Sequence, residues 1–178
     1  MIESPYRRGA HDGLTFGLYL TVMFFCSIFA QAWPVLSMVS LAMMVAVPAV
    51  IYRYLRRYQL ALGVASHFSA LWMQGLVIFA CGMLLSGLVL TVYMTWINPS
   101  YIADQLASLA AMKGSVPDSG IDQAALVAER LIENRAVPRP IQVIVELEML
   151  AIVSGSLLSL IISALLSTLR GRSPKPIK

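Results

Sequence analysis

The stretch GLTFGLYLTVMFFCSIFAQAWPVLSMVSLAMMVAVPAVIY, residues 13–52, runs for 40 positions without an Asp, Glu, Lys or Arg. A helix needs about 20 apolar residues to cross ~30 Å of hydrocarbon, so this window is two spans long. Gln31-Ala32-Trp33-Pro34 interrupts it. Proline disfavours helix in the residue before it, and Trp settles at the membrane interface. The reading is therefore a helical pair, about 14–31 and 34–52, joined by a tight interfacial turn. Pro48, near the end of the second span, is placed where a kink does little damage.

The rest of the chain repeats the pattern. Apolar residues make up 58% of it and charged residues 12%, about half the charge of a soluble domain. Such a surface suits lipid and not water. A third span is expected at about 69–97, closed by Asn98-Pro99, with a polar lead-in containing Gln59, Ser66, His67 and Ser69. A fourth lies between Glu148 and Arg170, at about 146–169. The expected class is all-α integral membrane, a single membrane domain over residues 1–178.

Charge placement orients the spans. Arg7 and Arg8 precede span one, Arg53, Arg56 and Arg57 follow span two, and Arg170, Arg172, Lys175 and Lys178 follow span four. These are nine of the 13 basic residues. Basic clusters stay cytoplasmic, and two spans must separate each cluster from the next, so four spans with both tails (1–13 and 170–178) inside fit. Residues 1–13 are polar and no cleavage signature follows, so span one is expected to be retained. The net charge of +4 is then an address, with Arg53, Arg56, Arg57, Arg170 and Arg172 expected to contact anionic lipid. It is no argument for nucleic acid.

Residues 98–141 form the one large polar segment, expected to be an extracytoplasmic helical hairpin. Asn98-Pro99 suits a helix start, and Ile102, Leu106 and Leu109 make a stripe. Residues 114–120 are turn chemistry. A second helix is expected at about 121–135, with Ala124, Val127, Ala128 and Leu131 on its apolar face. The hairpin reads as a connector or as a docking element.

In lipid, helices approach closely through small residues. Gly9, Gly13, Gly17 and Thr21 recur every four positions in span one, and Gly75, Gly82, Ser86 and Gly87 mark span three. Ala151, Gly155, Ser159, Ser163 and Ser167 make a ridge along span four, to be read as packing inside the bundle or as a homodimer face. Gln74, Glu146 and Glu148 are the candidate polar path, although Glu146 and Glu148, two positions apart, cannot share a helix face. Tyr52, Tyr54, Tyr58 and Trp72 are expected as an inner aromatic belt, and Trp33, Tyr93, Trp96 and Tyr101 as an outer one. Cys26 and Cys81 read as small apolar residues, not as a disulfide or metal pair. No phosphate loop, nucleophile elbow, HExxH or CxxC is present. No cofactor is expected.

Five features carry a resemblance: Gly13-Leu14-Thr15-Phe16-Gly17-Leu18, Tyr52-Arg53, Ile97-Asn98-Pro99-Ser100-Tyr101, the helical polar insert, and Leu158-Ser159-Leu160-Ile161-Ile162-Ser163-Ala164 running into basic residues. Together the layout resembles an uncharacterised family of small four-span membrane proteins, best known from Bacteroidetes and recorded as a domain of unknown function. The insert here is poorer in acid and Met than that family suggests. The resemblance implies a bacterial inner-membrane location and the fold, and no activity. The expected function is non-enzymatic: a small subunit or scaffold acting through helix association, with other membrane subunits or a second copy as partner. The alternative is a small transporter or channel lined by polar residues of spans three and four.

Overall fold

A computed structural model describes residues 5–30, 32–63, 67–114 and 120–170. The elements are α1 (Pro5–Phe29), α2 (Pro34–Leu62), α3 (Phe68–Val92), a π-helical turn (Tyr93–Ile97), α4 (Tyr101–Ala110), α5 (Gly120–Glu133) and α6 (Pro140–Arg170). Among the described residues there is no strand. Four helices are long and apolar enough to cross a membrane: α1, α2, α3 with its π-turn, and α6.

Three of these helices run beyond the expected spans, for one reason. Helices α1, α2 and α6 extend into the charged flanks because a helix still satisfies its backbone where its side chains meet headgroups and water. In α2 the extension places Arg53, Arg56 and Arg57 outward, while Leu55 and Tyr58 turn into the core. Tyr58 is thus 2% exposed and packed in the core, which corrects the expectation of an interfacial tyrosine there. Its neighbours in sequence explain the error: at helical spacing a residue beside three arginines can still face the opposite side.

The chain divides into two compact units, Met1–Ser86 with Glu148–Lys178, and Gly87–Leu147. In the first unit the directions of the helices are fixed by contacts. Gly9 faces Val77, Gly13 faces Cys81 and Gly17 faces Leu85, a constant offset of 68 residues, so α1 and α3 run parallel. Gly75 faces Ser159 and Phe79 faces Gly155, so α3 and α6 are antiparallel. The Tyr19 hydroxyl donates to the Met43 carbonyl at 2.5 Å and the Ser40 hydroxyl to the Met23 carbonyl at 3.3 Å, so α1 and α2 are antiparallel.

The core of this unit is Phe16, Leu20, Ile51, Leu55, Tyr58, Leu71, Ile78, Phe79, Met83, Ile162 and Leu166. Phe16 meets Phe79 edge to face, with ring centroids 5.2 Å apart. Leu14, Leu18, Val35, Met38, Val45, Leu84, Leu157 and Ile161 point outward while Gln74, Ser86, Ser159 and Ser163 are buried. Polar inside and apolar outside is the arrangement lipid selects. Hydroxyls of Thr21, Ser86 and Ser154 donate to carbonyls three or four residues back, so each satisfies itself within its own helix.

In the second unit α4 packs on α5. Lys113 Nζ lies 2.6 Å from Glu129, which holds its amine above the usual lysine range. Gly114, at φ 78°, donates its N–H to Asp122. The helix start expected at Asn98-Pro99 is displaced to Tyr101: the π-turn carries α3 to Ile97, and Ser100 is the cap residue. The buried face of α5 is Ala125 and Ala128. This corrects the face expected from Ala124, Val127, Ala128 and Leu131, since Ala124 and Val127 are exposed. The contact with α4 decides which side of α5 is covered. Arg135 ends α5 at φ 51°, with its N–H bonded to Ile132 and that of Ala136 to Leu131, a helix stop normally given to glycine.

Candidate functional site

One cluster of polar and charged side chains in the first unit lies at the end where α1 and α3 begin. On α1, Arg8 and Asp12 are four residues apart and therefore neighbours on one face. On α3, Gln74 is 0% exposed and its amide donates to Asp12 Oδ2 at 3.3 Å. A buried amide left without partners would cost about 1–3 kcal/mol, and this carboxylate accepts one of its hydrogen bonds. Gly9 makes room for it: a Cβ there would stand 3.2 Å from Gln74 Oε1. From α2 comes Tyr58, whose ring lies 6.0 Å from the Arg8 guanidinium. The charged groups that act on Asp12 are Arg8, His11 and Arg57. Three helices thus build one cluster.

A cavity of about 510 Å³ opens here, lined by Arg7, Arg8, His11 and Asp12. A second cleft of about 210 Å³ lies along α2, lined by Tyr52, Arg53, Arg56, Arg57 and Leu60, with Arg56 stacked over Tyr52 at 5.9 Å. Among the described residues no group of three His, Cys, Asp or Glu side chains could hold a metal ion. Cys26 and Cys81 are free and half-buried.

The candidates named from sequence fall as follows. Gly13 and Gly17 lie in the α1–α3 seam, where a Cβ on Gly17 would stand 2.8 Å from the Gly82 carbonyl oxygen. On α6, Gly155 abuts the Phe79 ring, Ser159 abuts Gly75, and Ser163 is fully buried. Ala151 packs against the core, while Ser167 is exposed and donates to Ala164. The three polar-path candidates do not come together. Gln74 joins Asp12, Glu146 is exposed, and Glu148 is half-buried. Glu148 lies 11 residues before Ser159 on α6, which is about 16 Å along the axis from the level of Gly75. Arg53, Arg56 and Arg57 are exposed around the second cleft. The side chain of Arg170, and Arg172 entirely, lie outside the described residues.

Asp12 escapes a reading of the sequence because it sits one position before the charge-free window and looks like part of a polar tail. Its spacing from Arg8 is the signal that could have found it. Gln59, whose amide donates to the Leu166 carbonyl at 3.0 Å and ties α2 to α6, gives no such signal.

An apolar-faced helical bundle with a charged cluster at one end defines a helical protein compatible with a lipid surround, and it displays no catalytic constellation among the described residues. The chain matches, over residues 11–168, the family described as a protein of unknown function, DUF4199, and belongs to that family. No curated protein and no solved structure matches it.

Proposed function

We propose that this chain is a multi-pass protein of a bacterial inner membrane, acting without catalysis as a small subunit or scaffold through helix–helix association. Both tails are cytoplasmic in this reading, and α4 with α5 forms an extracytoplasmic hairpin. The observation that carries it is the closure of both seams onto α3. Gly17 against Gly82, and Gly75 against Ser159, bring helices to distances at which a single methyl would collide. That favours a dense element offered to partners over a passage for solutes. The separation of Gln74 from Glu148 supports the same reading. The basic residues Arg53, Arg56, Arg57, Arg170 and Arg172 contribute non-specific attraction to anionic lipid.

The test has two arms. Mild-detergent purification at native expression should bring down stoichiometric membrane partners or a second copy. Proteoliposomes of the purified chain should pass ions and small solutes no faster than empty vesicles. Flux abolished by Glu148→Gln or Glu146→Gln would replace this reading with a transporter.

A further inference from the structure

We propose that the cavity lined by Arg7, Arg8, His11 and Asp12 binds the phosphodiester of an anionic phospholipid headgroup. The proposal rests on the reading of α1 as a membrane span and not on the scaffold role.

Position is the first argument. The charge-free stretch of α1 begins at residue 13, so Arg8 and His11 lie about 3–8 Å beyond it along the axis. Headgroups occupy roughly the outer 5–8 Å on each side of the hydrocarbon, so the cavity opens at the depth of lipid phosphates. A volume of about 510 Å³ is that of a small-ligand site and takes a glycerophosphate without strain.

Charge is the second. Among the described lining residues the two guanidinium groups of Arg7 and Arg8 outnumber the one carboxylate of Asp12, an excess of positive charge that suits a phosphodiester and disfavours headgroups bearing an ammonium. Planar guanidinium groups are the side chains best shaped for phosphate oxygens.

Preorganisation is the third. Arg8 is laid over the Tyr58 ring, and Asp12 is held by the buried Gln74. One oxygen of the carboxylate is thereby engaged by the protein's own amide, and its charge is opposed by Arg8, His11 and Arg57. The α2 cleft, with Arg53, Arg56 and Arg57 and less than half the volume, lacks a buried polar group among its lining residues. It makes a natural control.

The full-length chain is reconstituted into vesicles of equimolar phosphatidylglycerol, phosphatidylethanolamine and phosphatidylcholine, re-extracted gently, and its retained lipids are identified by native mass spectrometry. Wild type should retain phosphatidylglycerol preferentially. Arg7→Gln/Arg8→Gln should lose that preference by about a hundredfold, the effect of two charge-assisted hydrogen bonds to a phosphate. Arg53→Gln/Arg56→Gln, which removes only non-specific attraction, should lose about tenfold less of it. Arg7→Gln alone should lose part of it, which covers the case of a double variant that does not fold. Equal retention of all three lipids, preference for phosphatidylethanolamine, or equal loss in the α2 variant would overturn the proposal. So would displacement of the lipid by inorganic phosphate, which would mark a soluble-anion site.

Discussion

Gln74 is the residue on which the polar end of the bundle depends. Replacing it by Leu removes the amide that donates to Asp12 and should lower the unfolding free energy in detergent by about 1–3 kcal/mol. Gln74→Glu is more informative because it sets two carboxylates face to face. Like charge raises a carboxyl's pKa in the folded state, so the native form binds more protons and stability falls as pH rises. The variant should approach wild type near pH 4 and fall progressively behind it toward neutrality. A pH-independent deficit in thermal melts would refute the pairing with Asp12. Ser159→Ala is the contrary case. Its buried hydroxyl has no hydrogen-bond partner among the described residues, so its removal should leave stability unchanged or raise it. The sequence showed that Gln74 was polar and inside a span. It could not show the partner, because nothing local marks a contact across 62 positions.

At the scale of the helix, charge-free length predicted four spans and the four helices answer to them. Ends were less legible: helices α1, α2 and α6 continue into charged flanks, where length and hydropathy have no say but backbone hydrogen bonding does. On α5 periodicity shows that a stripe exists, while the neighbouring α4 decides which of two adjacent stripes is buried. Within the α1–α3 seam, Gly17→Leu should destabilise by about 1–3 kcal/mol or more, since the obstructing atom is the Gly82 backbone carbonyl and cannot rotate away. The parallel register makes a covalent prediction. A Cβ at residue 13 would sit 2.7 Å from Cys81 Cβ, and a disulfide asks for roughly 3.5–4.5 Å. A slight parting of the helices therefore brings Gly13→Cys into bonding range. Mild oxidant should give an intrachain crosslink in that variant and none in wild type; absence of the crosslink in a folded variant would sink the register.

For the whole molecule, composition revealed the environment and charge placement the parity of spans, but neither could say which spans touch. That information lives in the seams. One of them has a consequence for how the protein is made. Helices α1 and α3 are parallel partners with α2 between them in the chain, so α1 must enter the bilayer and wait about 68 residues of synthesis for its mate. At ribosomal rates that is roughly 3–14 s. During this interval α2 can already clasp α1 through the Tyr19 and Ser40 bonds, while the glycine face of α1 remains turned to lipid. A nascent chain halted before α3 is therefore left with its least lipid-loving surface uncovered, the form that membrane insertases and quality-control proteases meet first.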